Sequence, residues 1–415
     1  MKVYSPRNAA IYGILIWILF YLISPISYSY PISSVSIILL LGSYLLFFLG
    51  YSIGSKVKHL RIISTNSRRN SIKLYYIFLG ISVLSVLCLF IDSFVIRGIN
   101  INNGAFENRE ILENSTPSII GIFGNIIKAS VFLNFFLYFQ HNFRKPYLLY
   151  ANYALIMYFI FESFLTGSRS IPFFYVILII LILFHFKIIQ LKIKYLFYLG
   201  ILGILFFILL TETFISRTIE FTGTREQAII FILKKGTYLD YTKIDESFLS
   251  FVISIDSYYL QSFFVGLASF YGYYLHSIVE FSYLIDHFDS PARLGSHTFF
   301  VIAKFFKIIF GGGYELTLNY VPRPGKYTTF FGDIFMDFKY YTPFFMMLFG
   351  YWQSRLYKSV IAKNNYTIIP LILFLCILNF IFPVFNLITG GKGIYLIIGL
   401  ILLSYMYRFL TQIKS

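Results

Sequence analysis

Two cations, Arg323 and Lys326, lie immediately before an apolar run of about 20 residues, the length of a membrane span. Prolines flank Arg323 and a glycine precedes Lys326, so the backbone that carries both charges is restricted. A guanidinium group binds phosphate oxygens in a bidentate manner. This stretch therefore predicts a site for a phosphate or diphosphate group at the mouth of a span.

Hydroxyl groups and acids follow these two cations. Tyr327 and Thr328 are candidate substrate-binding residues, and Asp333 and Asp337 stand one turn apart on one face of the predicted helix 329–351. An acid inside a membrane span is a functional-site hypothesis by default, so both aspartates are candidate general bases. The alternative interpretation is a helix cap with local pairing of Asp337 and Lys339.

Three further arginines lie near the ends of predicted spans. Arg169 occupies the turn 166–170, where it either snorkels to water or binds an anion near the amides that open the next helix. Arg217 and Arg225 follow a later apolar run, among the acids Glu212, Glu220 and Glu226. This pattern indicates either surface ion pairs or a second part of a cationic cluster that also contains Arg323 and Lys326.

His276 and Glu280 are also one helical turn apart. If their span begins near Phe263, they are buried and pair structurally. If it begins later, they line an outer cavity and are candidate general bases. Hydrophobic periodicity leaves both alternatives open.

Motifs of soluble catalysis are absent from the sequence, including the phosphate-binding loop, the zinc-protease motif and the Asp-x-Asp pair that holds a divalent ion on a diphosphate. The two cysteines, Cys88 and Cys376, lie inside apolar runs. Such cysteines predict neither a disulfide framework nor a metal site. We expect chemistry without a metal or a cofactor.

Composition identifies the elements that must position these residues. Of 415 residues, 58% are hydrophobic and 13% are charged, which excludes an ordinary soluble enzyme and a disordered chain. The apolar runs do not alternate, which excludes a membrane β-barrel. The predicted fold is an all-α polytopic membrane protein of about 12 transmembrane helices, with the whole chain, 1–415, as one membrane domain.

Charge orients the predicted helices. The net charge of +16 suggests nucleic acid at first, but several short loops that are basic and free of acids explain it better as cytoplasmic loops. We therefore expect no nucleic-acid partner, and we expect both termini, Asp286 and Asp289 in the cytoplasm. The outer side then carries loop 93–118, a long periplasmic segment at 212–262 and a second periplasmic loop at 313–328.

Four features resemble the bacterial oligosaccharide repeat-unit polymerases, the O-antigen polymerase (Wzy) family. They are the Gly-Ser-Arg turn at 167–169, the long outer segment in mid-chain, the Gly-Ser-His-Thr-Phe stretch at 295–299, and Tyr-Thr-Thr-Phe at 327–330 followed by Asp-Phe at 337–338. The last is similar to the family's YTF…DFG stretch. Here Lys339 replaces the glycine. The resemblance covers most of the chain at the level of architecture.

The resemblance implies a metal-independent glycosyltransferase in the bacterial inner membrane. It would join oligosaccharide repeat units linked to undecaprenyl diphosphate at the periplasmic face, with undecaprenyl diphosphate as the leaving group. The predicted diphosphate-binding residues are Arg169, Arg217, Arg225, Arg323 and Lys326, and the candidate bases are His276, Glu280, Glu226, Asp333 and Asp337. Expected partners are the lipid-linked oligosaccharide, the bilayer and a chain-length regulator protein.

Two other functions compete with this one. An O-antigen ligase uses the same leaving group with another acceptor, but the resemblance associates ligases with an outer-loop histidine, and segment 212–262 contains none. A lipid-linked oligosaccharide flippase, which is not an enzyme, needs a cationic cavity open to both sides. Here cations within spans are few, which favours the polymerase.

Overall fold

The computed structural model describes most of the chain. The described residues are 5–57, 68–103, 105–115, 118–165, 170–189, 193–236, 238–303, 306, 320–363, 365–389 and 392–412.

Helices dominate the described residues. They are α1 Pro6–Ile23, α2 Ser34–Lys56, α3 Arg68–Phe90, α4 Ala105–Asn114, α5 Ile119–Ile127, α6 Ala129–Gln140, α7 Pro146–Leu165, α8 Ser170–His185, α9 Ile193–Thr222, α10 Arg225–Lys235, α11 Glu246–Ile253, α12 Tyr258–His287, α13 Phe330–Phe338, α14 Thr342–Lys363, α15 Ile369–Phe380 and α16 Lys392–Gln412. A π-helix at Ile91–Ile96 prolongs α3. The sheet consists of two antiparallel strands, β1 Ile26–Tyr28 and β2 Thr242–Ile244.

Six of the described helices are long and apolar enough to cross a membrane. They are Pro6–Ile23, Ser34–Lys56, Ile72–Ile96, Ile119–Gln140, Pro146–Leu165 and Gly393–Thr411. The prediction of an all-α membrane protein is thereby confirmed. The number of about 12 spans stays a prediction.

Close backbone packing joins α2 to α14. A Cβ atom on Gly50 would lie 1.9 Å from the carbonyl oxygen of Met347, and one on Gly350 would lie 2.2 Å from that of Phe47. Small residues that let two helix backbones approach are the usual device of membrane interfaces. The contacts advance in the same direction along both helices, so α2 and α14 run parallel.

The predicted continuous helix over 329–351 is wrong. The chain reverses at Lys339, whose φ of 50° lies in the left-handed region, and α13 packs back against α14. Ring contacts of 5.7 Å between Phe330 and Phe349 and of 5.0 Å between Phe338 and Phe345 show the antiparallel course. Asp333 therefore lies on a short helix of its own.

Irregular backbone reaches the middle of the helix bundle beside α13. The Phe330 N–H donates to the Phe382 carbonyl at 2.9 Å, in the non-helical segment 381–389. The Phe382 ring contacts Phe47 at 5.6 Å and Tyr44 at 6.4 Å, and both of these residues lie midway along α2. At membrane depth, irregular backbone is tolerated where protein buries it or where it lines a cavity.

Loop 24–33 and the end of α12 lie on one side of the protein. The Tyr30 hydroxyl donates to Asp286 at 2.7 Å, and the Ser33 N–H donates to the Ser282 hydroxyl at 2.8 Å. Strand β1, in the same loop, pairs with β2 of the long segment 212–262. If the N-terminus is cytoplasmic, α1 carries loop 24–33 to the outer side, so the predicted cytoplasmic N-terminus and the predicted cytoplasmic Asp286 cannot both be correct.

Candidate functional site

Arg323 and Lys326 converge on one carboxylate. The Arg323 guanidinium contacts Asp240, which lies between α10 and β2, and Lys326 Nζ is 2.8 Å from Asp240 Oδ2. The contact joins the long segment 212–262 to the loop that precedes α13. Both cations are thereby held at one point, as the proline- and glycine-rich sequence predicts.

A second carboxylate lies on the inner side of the same guanidinium. Arg323 Nη1 is 3.5 Å from Glu280 Oε1 on α12, and the guanidinium also lies 4.2 Å from the Tyr241 ring centre. The Glu280 side chain is 5% exposed, whereas that of Asp240 is 47% exposed. Asp240 can therefore be displaced by a solvent-borne anion, and Glu280 stays in place.

The Asp240 carboxylate is ionised around neutral pH. Partial burial opposes its ionisation, but the hydrogen bond from Lys326 and the positive charges of Lys326 and Arg323 outweigh burial and hold its pKa below the usual aspartate range. The site without a ligand thus already contains an anion that two cations share.

His276 presents a free acceptor nitrogen one turn from Glu280. Its Nδ1 lies 2.8 Å from the Tyr273 carbonyl and 3.1 Å from that of Gly272. Because carbonyl oxygens only accept, Nδ1 carries the proton and Nε2 carries the lone pair. Nε2 is buried without a hydrogen-bond partner among the described residues. A general base needs such an atom.

Aromatic rings surround this histidine. The rings of Tyr238 and His276 are 4.6 Å apart, and Tyr238 stacks on Tyr327 at 5.9 Å with an angle of 18° between the rings. On its other side, Tyr327 contacts Phe385 at 5.5 Å. The predicted substrate residue Tyr327 is therefore part of an aromatic wall that can pack against a sugar ring.

Asp333 and Thr328 belong to a separate, deeper cluster. The Thr328 hydroxyl donates to Asp333 at 3.0 Å, and the Thr389 hydroxyl donates to its other carboxylate oxygen. His297 Nε2 is 3.5 Å from Asp333, and His297 Nδ1 is 2.7 Å from the Tyr320 hydroxyl. With both oxygens occupied, Asp333 is better placed to hold the irregular segments together than to accept a proton.

Asp337 caps a turn in the structure. Its carboxylate is fully buried and accepts the backbone N–H groups of His297 at 2.9 Å and Thr298 at 2.8 Å. The alternative pairing with Lys339 is wrong, because Lys339 Nζ donates to the Phe288 carbonyl at 2.7 Å. Asp337 is a positioning residue in this arrangement.

Arg225 lies far from the Arg323 cluster. Its guanidinium binds both carboxylate oxygens of Glu212, at 2.8 and 3.0 Å, and also the side chains of Gln261 and Ser262. Residues 262 and 280 are on one helix, so their positions are about 27 Å apart along its axis. Arg225 is therefore not part of the cluster around Arg323. It forms an ion pair, as the alternative interpretation predicts.

Two predicted diphosphate residues lie outside the described atoms. Arg169 falls in the undescribed segment 166–169, and for Arg217 the helix α9 is described but the side chain is not. Their assignments stay predictions.

Three residues of the two clusters are not predicted from sequence pattern, namely Asp240, Tyr238 and His297. Their roles depend on partners remote in the chain, since Asp240 and Arg323 are 83 positions apart. The Gly-Ser-His-Thr-Phe stretch was the available signal for His297. Among the described residues, no group of three or more His, Cys, Asp or Glu side chains could hold a metal ion.

We refer to Asp240, His276, Glu280, Arg323, Lys326 and Tyr327 as the outer cluster. It combines two cations, a free imidazole nitrogen and an aromatic wall, which suits the displacement of an anionic group by a hydroxyl. Comparison of the chain with known proteins finds no matching family model, no matching curated protein and no matching solved structure.

Proposed function

We propose that this protein is a polymerase of lipid-linked oligosaccharide repeat units, with undecaprenyl diphosphate as the leaving group. The observation that carries the proposal is the outer cluster, in which Arg323 and Lys326 share Asp240 and Arg323 also lies 3.5 Å from Glu280, one turn from His276. The resemblance to the O-antigen polymerases supplies the identity of the lipid.

The reaction is a displacement at a sugar carbon. A hydroxyl oxygen of one lipid-linked unit attacks the anomeric carbon of the other chain. As the new C–O bond forms, the bond from that carbon to the diphosphate oxygen breaks, and the diphosphate leaves with the electron pair. The hydroxyl proton passes to His276 Nε2, the unpartnered acceptor nitrogen.

The cations stabilise the leaving group. The diphosphate oxygen gains negative charge in the transition state, where fixed positive groups have their largest effect. In this proposal the diphosphate displaces the exposed Asp240 from Arg323 and Lys326. The buried Glu280 remains against Arg323 and keeps the guanidinium oriented.

We place the protein in the inner membrane of a bacterium, with the outer cluster at the periplasmic face and both termini in the cytoplasm. The contacts between loop 24–33 and the end of α12 place that end on the same side as the loop, and we therefore propose ten crossings in place of about 12. They are α1, α2, α3, the α5–α6 pair, α7, α8, α9, α14, α15 and α16. In this arrangement α12 stays on the periplasmic side instead of crossing.

The length distribution of surface glycolipid tests the function. In a strain that lacks the protein, a polymerase defect collapses the ladder to core carrying one repeat unit. If all repeat-bearing bands vanish and lipid-linked units accumulate, the protein is a ligase or a flippase instead. Accumulation on the periplasmic side would then indicate the ligase, and accumulation on the cytoplasmic side the flippase.

A further inference from the structure

A second group of charged residues lies among α3, α5, α6 and α7. Lys128 falls at the break between α5 and α6, near the middle of the span Ile119–Gln140. Its Nζ is 3.7 Å from Glu162 Oε2, beyond hydrogen-bond distance, and the Lys128 side chain is 7% exposed. The ammonium lies 4.3 Å from the Phe159 ring centre and 5.0 Å from that of Tyr175. Ionisable groups at such depth are functional-site hypotheses.

Arg97 extends this group toward the end of α3. Its guanidinium is 3.0 Å from Asp92, and the neighbouring Ser93 hydroxyl donates to Glu162 at 3.3 Å. Both Asp92 and Ser93 are buried, because the π-helix Ile91–Ile96 turns consecutive residues toward the bundle. Two carboxylates, Asp92 and Glu162, thus lie between the cations Arg97 and Lys128.

The group has donors in excess. Lys128 pairs with Glu162 at 3.7 Å, whereas Arg97 Nε and the Tyr158 hydroxyl are buried without a partner in the described part of the chain. Tyr158 lies one turn before Glu162 on α7. Buried donors normally find acceptors. Unsatisfied donors beside two cations therefore suit a ligand with many acceptor oxygens, such as a diphosphate.

We infer that Arg97 and Lys128 form a second diphosphate site, which holds the incoming lipid-linked unit while Arg323 and Lys326 hold the diphosphate that leaves. This inference rests on the proposed function, in which both substrates carry a diphosphate. The acceptor reacts at the sugar end remote from its own diphosphate, so the two diphosphates must bind apart.

The packing between the two sites agrees with this requirement. Tyr327 of the outer cluster contacts Phe385, and Phe385 contacts Phe174 on α8 at 5.7 Å. The next residue on α8, Tyr175, contacts Lys128. Ring contacts and helix α8 thus connect the two sites while keeping them apart. Glu162 and Asp92 balance the charge of these cations, as the buried Glu280 does for Arg323 in the outer cluster.

Binding stoichiometry tests the second site. The purified protein in nanodiscs of zwitterionic lipid would be titrated with radiolabelled farnesyl diphosphate. We expect two sites per chain in the natural protein and one each in Arg323→Gln and in Lys128→Met, with the affected site weakened by about tenfold or more. A single site that survives Lys128→Met and disappears in Arg323→Gln would overturn the inference.

Two further variants separate binding from a structural ion pair. Lys128→Met leaves Glu162 buried without its partner, so Lys128→Met combined with Glu162→Gln removes both charges and must also retain only one site. Glu162→Gln alone removes a competing anion and should tighten the second site. If Glu162→Gln weakens binding as much as Lys128→Met does, the pair is structural and the inference fails.

Competition identifies the recognised group. Excess inorganic pyrophosphate should displace farnesyl diphosphate from both sites, and failure to do so would mean that the hydrocarbon chain holds the probe and would refute a diphosphate site. The glycolipid ladder remains an independent measurement. Two binding sites together with a normal ladder would refute the polymerase function and support the second diphosphate site. One binding site together with a collapsed ladder would refute the second site and support the polymerase function.

Discussion

Replacement of Arg323 by glutamine is the sharpest perturbation of the proposed polymerase. The side chain keeps hydrogen-bonding groups but loses the charge that contacts Asp240 and lies 3.5 Å from Glu280. Removal of one preorganised donor from a charge-stabilising site lowers kcat by about 10²- to 10³-fold. We expect Arg323→Gln to slow polymerisation by that factor. Arg323→Lys should lose part of the rate, because it keeps the charge without the bidentate geometry.

The assay is polymerisation of a purified lipid-linked repeat unit, with product length measured on gels. Arg355→Gln is a matched control, because Arg355 donates to the Val57 carbonyl at 3.0 Å, just beyond the end of α2. This control should polymerise at the natural rate. A loss that is equal in both arginine variants would show a general effect of charge rather than a site.

A structural role for Arg323 makes a different prediction. Arg323→Gln leaves the buried Glu280 carboxylate without its cation, which alone could destabilise the protein. Arg323→Gln combined with Glu280→Gln removes both charges. If this double variant recovers natural polymerisation, or if Arg323→Gln never loses it, the leaving-group role is refuted.

Three other predictions follow from the geometry. His276→Gln should lower polymerisation by about 10²- to 10⁴-fold at unchanged protein level, measured in the same assay, and a natural rate would exclude His276 as the base. The depressed pKa of Asp240 means that its ion pairs contribute stability above the unfolded aspartate pKa, and this contribution is lost as pH falls through the lower folded value. Below about pH 4, segment 212–262 should therefore become more sensitive to an acid-active protease, and Asp240→Asn should show this sensitivity already at pH 7. Gly50→Ala should lower the melting temperature, because its Cβ would lie 1.9 Å from a backbone oxygen, whereas Gly80→Ala, with nothing within 4 Å, should not.

The broken helices explain why polar groups can lie so deep in the bundle. Segments 288–299, 320–329 and 381–389 are not regular helices, and they meet around Asp333 and Asp337. Asp337 accepts backbone N–H groups that a continuous helix would satisfy internally. Asp333 accepts the hydroxyl groups of two threonines from the irregular segments. Satisfied polar networks make irregular backbone tolerable at membrane depth. The deeper cluster therefore supports the loop that carries Arg323 and Lys326.

Local sequence pattern alone predicted part of the structure of this protein. Apolar runs predicted the membrane helices, because spanning hydrocarbon demands about 20 apolar residues and this demand is visible in sequence. The spacing of His276 and Glu280 placed them on one helix face, since i and i+4 always share a face. The restricted backbone around Arg323 and Lys326 likewise marked them as fixed cations.

Tertiary structure decided which of these residues meet. Asp240 and Arg323 are 83 positions apart, and Asp333 and Thr389 are 56 apart, so their contacts depend on how helices pack. The same packing separates Arg225 from Arg323 and breaks the predicted span 329–351 at Lys339. Hydrophobic periodicity describes which face of a helix is apolar. It contains no information on which helix covers that face, and this is the reason that the composition of the site emerged only from the folded chain.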